Sequence, residues 1–182
     1  MTDLEIIRLY LEKQDSTFFS MLYTKYYGRV YAKCIAILKQ NDAAQDAVQD
    51  IFTKIFLNLS GFNEKSQFST WIYSITYNYC IDIIRKEKKG LLFSEDIDKA
   101  GAVVEEVEDI FLLEMKLDRL KNLLDSIPIG DKAILLMKYQ DDMSIKEIGD
   151  VISKSESAIK MQLKRAKQKI KDLYDELYKD DF

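Results

Sequence analysis

The stretch Ser144–Lys171, SIKEIGDVISKSESAIKMQLKRAKQKIK, decides the fold of this chain. Ile145, Ile148, Val151 and Ile152 recur at the spacing of one helix face. Ser144 followed by Glu147 reads as a capping box at that helix's start. Ser153, Lys154 and Ser155 interrupt the pattern. It resumes at Ile159, Leu163, Ala166, Ile170 and Leu173 on alternating steps of three and four, which predicts a second, longer amphipathic helix. Lys160, Lys164, Lys167 and Lys171 fall on a different face of it. Between Lys154 and Lys171 stand seven Lys or Arg and one acid, Glu156, although the whole chain carries a formal charge of -4. A solvated amphipathic helix also carries an outer face of lysines. The short helix, three-residue break and basic helix opening on small polar residues match, however, the spacing of a helix-turn-helix, whose second helix enters the DNA major groove. Such a local concentration of cations is the footprint of phosphate contact.

Outward from this segment, composition predicts an all-α protein. The chain has 182 residues, 47% of them apolar, with one proline and six glycines, enough for one ordinary domain or two small ones with packed cores. No apolar run is long enough to span a bilayer. Met1–Leu11 carries Asp3, Glu5 and Arg8 on an amphipathic pattern, so neither a signal peptide nor an anchor is expected there, and the expected location is the cytoplasm. Cys34 and Cys80, the two cysteines, lie in helical apolar patterns and are expected to be buried free thiols. The chain contains no histidine, which excludes histidine acid/base relays and histidine-ligated zinc. Nor does it have a glycine-rich phosphate loop. No catalytic residue, metal or cofactor is expected, and no enzymatic activity.

Composition also divides the chain. From about Asp15 to Lys89 it is rich in Phe, Tyr and Ile at helical spacing, with breaks near Gln40–Asp42 and Ser60–Phe68. Ser94–Asp109 holds seven acids and one lysine and reads as a linker. Leu112–Leu124 is helical again, and Pro128 begins a new element. Two small helical domains joined by an acidic tether are expected, with no internal repeat.

Two further segments carry functional signals. Phe62–Arg85, FNEKSQFSTWIYSITYNYCIDIIR, interleaves aromatics with Ser, Thr, Asn and cations, the mixture that stacks on unpaired bases and hydrogen-bonds their edges. Trp71, Ile72, Ile75, Tyr79 and Ile83 are expected on one helix face, with Ser74, Tyr77, Asn78 and Asp82 elsewhere. A lone Trp at helical spacing is more often a core residue, so the exposed polar neighbours are the better contact candidates. The segment 41–59, NDAAQDAVQDIFTKIFLNL, predicts a helix capped by Asn41. Ala43, Ala47, Val48, Ile51, Phe52, Ile55 and Phe56 are expected inside, and Asp46, Gln49, Asp50 and Thr53 outside. Acids in the first turns stabilise a helix through its dipole. Asp50 lies too deep for that explanation, which leaves a protein-docking face as the sharper reading of the outward row.

In order and spacing, the stretches FFSMLYTKYYGRVY, DAAQDAVQDIFTKIF and FSTWIYSITYNYCIDIIRK resemble region 2 of the extracytoplasmic-function sigma factors of bacterial RNA polymerase. SIPIGDKAILLMKYQDDMSIKEIGDVISKSESAIKMQLKRAKQKI is similar to region 4 of the same family. FSTWIY with Asn78 beyond it is the specific signature. The resemblance implies region 2 over 1–89, a flexible acidic linker over 90–112 and region 4 over 113–182. It implies RNA polymerase core as partner, through the clamp helices of the largest subunit and the flap of the second-largest, with promoter DNA and an anti-sigma factor, often membrane-bound, as further partners and no small-molecule substrate. Asp46, Gln49, Asp50 and Thr53 would then dock on core. Phe62, Lys65, Phe68, Ser74, Tyr77, Asn78 and Arg85 would meet the melted minus-ten strand. Ser157, Ala158, Lys160, Met161, Lys164 and Arg165 would read the minus-thirty-five element. The chain departs from the family at Ser157-Ala158, where Gly-Thr is usual, at Gln162, where Arg is common, and at Asp46-Ala47, where Asp-Leu is frequent. The first two departures leave the promoter sequence open. A stand-alone helix-turn-helix regulator and a helical scaffold with no nucleic-acid role are the rival readings.

Overall fold

The computed structural model describes residues 1–87 and 107–178, all in helices and the turns between them. The chain divides into two units, Met1–Phe93 and Ser94–Phe182. The linker expected at 90–112 lies outside the described residues up to 106.

Side-chain caps start the first two helices of the first unit. The Thr2 hydroxyl accepts the Glu5 N–H at 3.3 Å while the Glu5 carboxylate accepts the Thr2 N–H at 2.7 Å, a capping box that opens α1 (Asp3–Lys13). Asp15 accepts the Thr17 N–H at 2.9 Å and opens α2 (Ser16–Leu38). α3 runs Asn41–Asn58, a 3-10 turn covers Leu59–Gly61, and α4 runs Phe68–Glu87. Along α2 the buried positions Leu22, Tyr26, Val30, Cys34 and Ile37 form one stripe. Against it lie Ala44, Ala47, Val48, Ile51 and Ile55 of α3 and Ile72, Thr76 and Cys80 of α4, all buried. Small side chains at Ala44, Ala47, Cys34 and Cys80 let the helices approach closely, while each buried Leu or Ile contributes about 1.5–3 kcal/mol. The Cys34 and Cys80 thiols are free and their sulfurs lie 3.7 Å apart. Asp3 holds α1 to α2 through Lys25 and the Tyr26 hydroxyl, both at 2.6 Å.

Asn41, Ala43 and Phe56 depart from the positions expected of them. Asn41 is the first residue inside α3, and Gln40, with no side-chain bond, is the cap. The Gln40 carbonyl already accepts the Ala44 N–H at 2.9 Å, which puts Asn41 inside the first turn. Ala44 rather than Ala43 is fully buried, and Phe56 is 43% exposed, though its ring packs edge-on to Phe19 at 5.0 Å.

The second unit comprises α5 (Asp109–Glu114), α6 (Leu117–Ser126), α7 (Ile129–Leu135) with a π-turn over Leu136–Gln140, α8 (Ile145–Ile152) and α9 (Glu156–Tyr178). Residues 109–112, expected in the linker, belong to α5. The helix expected over Leu112–Leu124 is interrupted at Met115 and Lys116, whose ψ angles of 139° and 133° are not helical. The core gathers Leu123, Ile134, Met143, Ile148, Val151, Ile159, Leu163, Ala166 and Ile170. The expected capping box at Ser144 and Glu147 is present, and Ser153 closes α8 in the left-handed region at φ 56°. Immediately after it the chain doubles back so closely that a Cβ on Gly149 would stand 2.7 Å from the Lys154 carbonyl oxygen. Gly149→Ala must move backbone, not a side-chain tip. It is expected to cost about 1–3 kcal/mol and to lower the melting temperature of this unit by about 5 °C or more, read by thermal unfolding.

Candidate nucleic-acid and protein interfaces

α9 is anchored on one side and open on the other. Ile159, Leu163, Ala166 and Ile170 are buried. Asp131, 8% exposed, ties α7 to α9: one carboxylate oxygen accepts from the Gln162 amide at 3.2 Å, the other from Lys169 at 2.7 Å. Gln162 in turn accepts from Lys154 at 3.1 Å and so holds the turn to the helix. At the helix start the Ser155 hydroxyl accepts the Ala158 N–H at 3.3 Å and lies 3.1 Å from the Ser157 hydroxyl. With the near side pinned, Ser157, Ala158, Lys160 and Met161 are exposed, and Lys164 and Arg165 half-exposed. Among the described residues Lys160 and Lys164 have no ion-pair partner.

The basic stripe read from sequence is narrower than expected. Lys167 is 14% exposed in its side chain and bonds Asp109 at 2.7 Å, so it belongs to the packing of α5 on α9. Tyr139 donates to the same Asp109 oxygen at 2.6 Å. The Lys167 bond, then the Tyr139 bond, hold the Asp109 carboxyl below its ordinary value, whereas burial and then the Asp109 bond push the Tyr139 hydroxyl up. A carboxyl depressed in the folded state contributes stability above its unfolded pKa and loses it as pH falls through the folded value. The stability difference between the native chain and Asp109→Asn is therefore expected to be present at neutral pH and to shrink below the usual carboxylate range, as followed by melting curves against pH.

In the first unit Asp46, Gln49, Asp50 and Thr53 are all exposed along α3. Beside them α4 is turned differently from the sequence expectation. Its buried face is Ile72, Tyr73, Thr76, Cys80 and Ile84, with Trp71, Ile75, Tyr79 and Ile83 half-buried at the edge. The small Thr76 and Cys80 are the groups that fit against α2, where Cys34 meets Cys80, and the large rings are displaced outward. Trp71, Ile75, Asn78, Tyr79 and Asp82 then line, with Lys54 and Asn58 of α3, a cleft of about 550 Å³.

Of the residues expected along the minus-ten strand, Phe68 is a correction. It is 3% exposed, stacked on Trp71 at 5.6 Å and edge-on to Tyr26 at 5.6 Å. It supports the loop instead of facing solvent. Phe62 is half-buried over it at 5.2 Å. Lys65 and Asn78 are exposed; Ser74 donates to the Trp71 carbonyl at 2.8 Å; Tyr77 is half-buried, and burial pushes its hydroxyl up; Arg85 is exposed, 3.8 Å from Asp82. Tyr79 and Lys54, neither of them a candidate from sequence, join α3 to α4. The Tyr79 hydroxyl donates to Asp50 across the helices, and the Lys54 ammonium sits 4.7 Å above the Tyr79 ring.

Residues 22–90 match the Sigma-70 region 2 family model and residues 117–170 the Sigma-70 region 4 model. The chain belongs to the extracytoplasmic-function sigma factors of the sigma-70 family. It is an alternative sigma factor that directs transcription initiation. This sigma factor is similar to the ECF RNA polymerase sigma factor SigW of Bacillus subtilis, with 25% identity over 173 residues, 88% of this chain and 91% of the relative. Its fold is similar to that of RpoE, solved with the anti-sigma factor NepR from Bartonella quintana, at 17% identity and a TM-score of 0.64 over 85% of this chain and 95% of that one. CnrH, solved with the cytosolic domain of CnrY, is likewise similar at 18% identity and a TM-score of 0.66, covering 96% of both chains. No described helix is long and apolar enough to cross a membrane.

Proposed function

We propose that this sigma factor docks on RNA polymerase core through α3, takes the unpaired minus-ten strand along the loop and α4, and reads the minus-thirty-five duplex with the start of α9. Asp46, Gln49, Asp50 and Thr53 face the clamp helices of the largest subunit. Phe62, Lys65, Ser74, Tyr77, Asn78 and Arg85 meet the melted strand, with Phe68 holding the loop. Ser157, Ala158, Lys160, Met161, Lys164 and Arg165 meet duplex DNA, phosphates fixing register and one or two side chains choosing bases. Region 2 work falls to residues 1–89 and region 4 work, including the flap contact, to 113–182, with 90–112 between. Strand opening needs no covalent chemistry, because extruding a base costs a few kcal/mol that a fitted pocket returns.

The observation that carries this reading is the α9 start, where a pinned inner side leaves Ser157, Ala158 and Lys160 exposed beside one another. The test is reconstitution. The purified chain with polymerase core and genomic DNA is expected to give transcripts whose start sites share two upstream elements, and failure both to bind core and to start transcripts would overturn the proposal. A stand-alone regulator would instead shift duplex DNA tightly without polymerase, and it has no use for Phe62–Arg85. RpoE and CnrH are each solved with a partner, one of them named an anti-sigma factor; this sigma factor too is held inactive by an anti-sigma factor, in the cytoplasm or tethered to the inner membrane through that partner.

A further inference from the structure

Asp50 is the tenth residue of α3, too far from the helix start for the backbone dipole to account for it. Among the described residues no cation pairs with it, although Lys54 stands one turn along the same helix. Lys54 places its ammonium over the Tyr79 ring instead, at 4.7 Å. The Tyr79 hydroxyl, reaching across from α4, donates to Oδ2 of Asp50. Burial and the Asp50 bond push that hydroxyl up to about 12, so it remains a donor at every working pH. Among the described residues, the result is an exposed carboxylate with one oxygen fixed by a neighbouring helix, the other without a hydrogen bond, and no cation at ion-pair distance.

We propose that Tyr79 is a positioning residue for polymerase docking: it presets the Asp50 carboxylate so that its free oxygen receives a cationic, hydrogen-bonding side chain of the core enzyme. A side chain already immobilised loses less conformational freedom on association. The Lys54 cation over the ring holds Tyr79 in turn. Tyr79 also lines the cleft that contains Asn78, so one ring borders both the docking row on α3 and the strand-facing side of α4. This inference rests on the proposed docking role of α3.

The test is a double-mutant cycle on affinity for purified core, using the full-length chain with Tyr79→Phe, Asp50→Ala and both changes. Phenylalanine keeps the ring, and with it the Lys54 contact, while removing the hydroxyl. Tyr79→Phe is expected to weaken core binding about three- to tenfold and to do nothing further once Asp50 is Ala. Its melting temperature is expected to stay within about 2 °C of the native chain. An effect of Tyr79→Phe equal in both backgrounds, or no effect in either, overturns the positioning role while a weak Asp50→Ala variant leaves α3 docking intact. Unchanged core affinity in Asp50→Ala removes Asp50 from the docking face and overturns the positioning role with it, whereas docking through α3 as a whole is decided by reversing Asp46 and Asp50 together.

Discussion

Asp46→Lys combined with Asp50→Lys is expected to abolish holoenzyme formation at concentrations where the native chain is saturated, a loss of at least about 100-fold in affinity for core. Removing one partner of a close interfacial charge pair costs about 2–5 kcal/mol, and reversal adds repulsion to the loss. Both residues are exposed on α3 while Ala47, Val48, Ile51 and Ile55 form its inner face, so the substitutions leave the core of the unit untouched. Circular dichroism of the variant should match the native chain. Competition against a labelled sigma factor for purified core gives the affinity directly. If the doubly reversed chain still assembles with native affinity, α3 is not the docking element, and the outward acids serve solubility alone.

The second large effect concerns DNA. Lys160→Glu with Lys164→Glu is expected to lower promoter affinity of the reconstituted holoenzyme at least about tenfold and to flatten its dependence on log salt by about two units, since each lost phosphate contact removes roughly one released counterion. The two lysines are suited to this test because neither takes part in the ion pairs that hold α9 down; those use Lys167 and Lys169. Core affinity should be unchanged, which separates this defect from the first. A variant with the native salt slope would show that the α9 lysines are a solvated face and nothing more.

The helix-turn-helix was legible because its signals are local. Ser144 and Glu147 cap one another three residues apart, and the apolar steps from Ile159 to Ile170 report one face of one helix. What stayed hidden depends on groups distant in sequence. Nothing around Lys167 distinguishes it from Lys160; its fate is set by Asp109, 58 residues earlier. The rotation of α4 is likewise hidden in the sequence, because Trp71, Ile75 and Tyr79 are large side chains at core spacing just as Ile72 and Ile84 are. Only the fit of Thr76 and Cys80 against α2 selects which set is buried. Phe68 sits beside Trp71 in the aromatic segment Phe62–Arg85 and reads like a base-stacking ring, yet its neighbour Tyr26 belongs to α2. The break at Met115 and Lys116 carries neither glycine nor proline, so no residue type announces it.

The contact between Cys34 and Cys80 gives this sigma factor an internal stopwatch. Both thiols have 0% exposure, and they are the chain's only two cysteines. An alkylating reagent can therefore reach sulfur only when α2 and α4 part, and the second unit contributes no signal whatever happens there. The rate of thiol modification in the native protein thus reads the opening of the first unit alone, and with core polymerase added, slower labelling of Cys34 and Cys80, followed on this chain by mass, would report how far docking holds the unit shut.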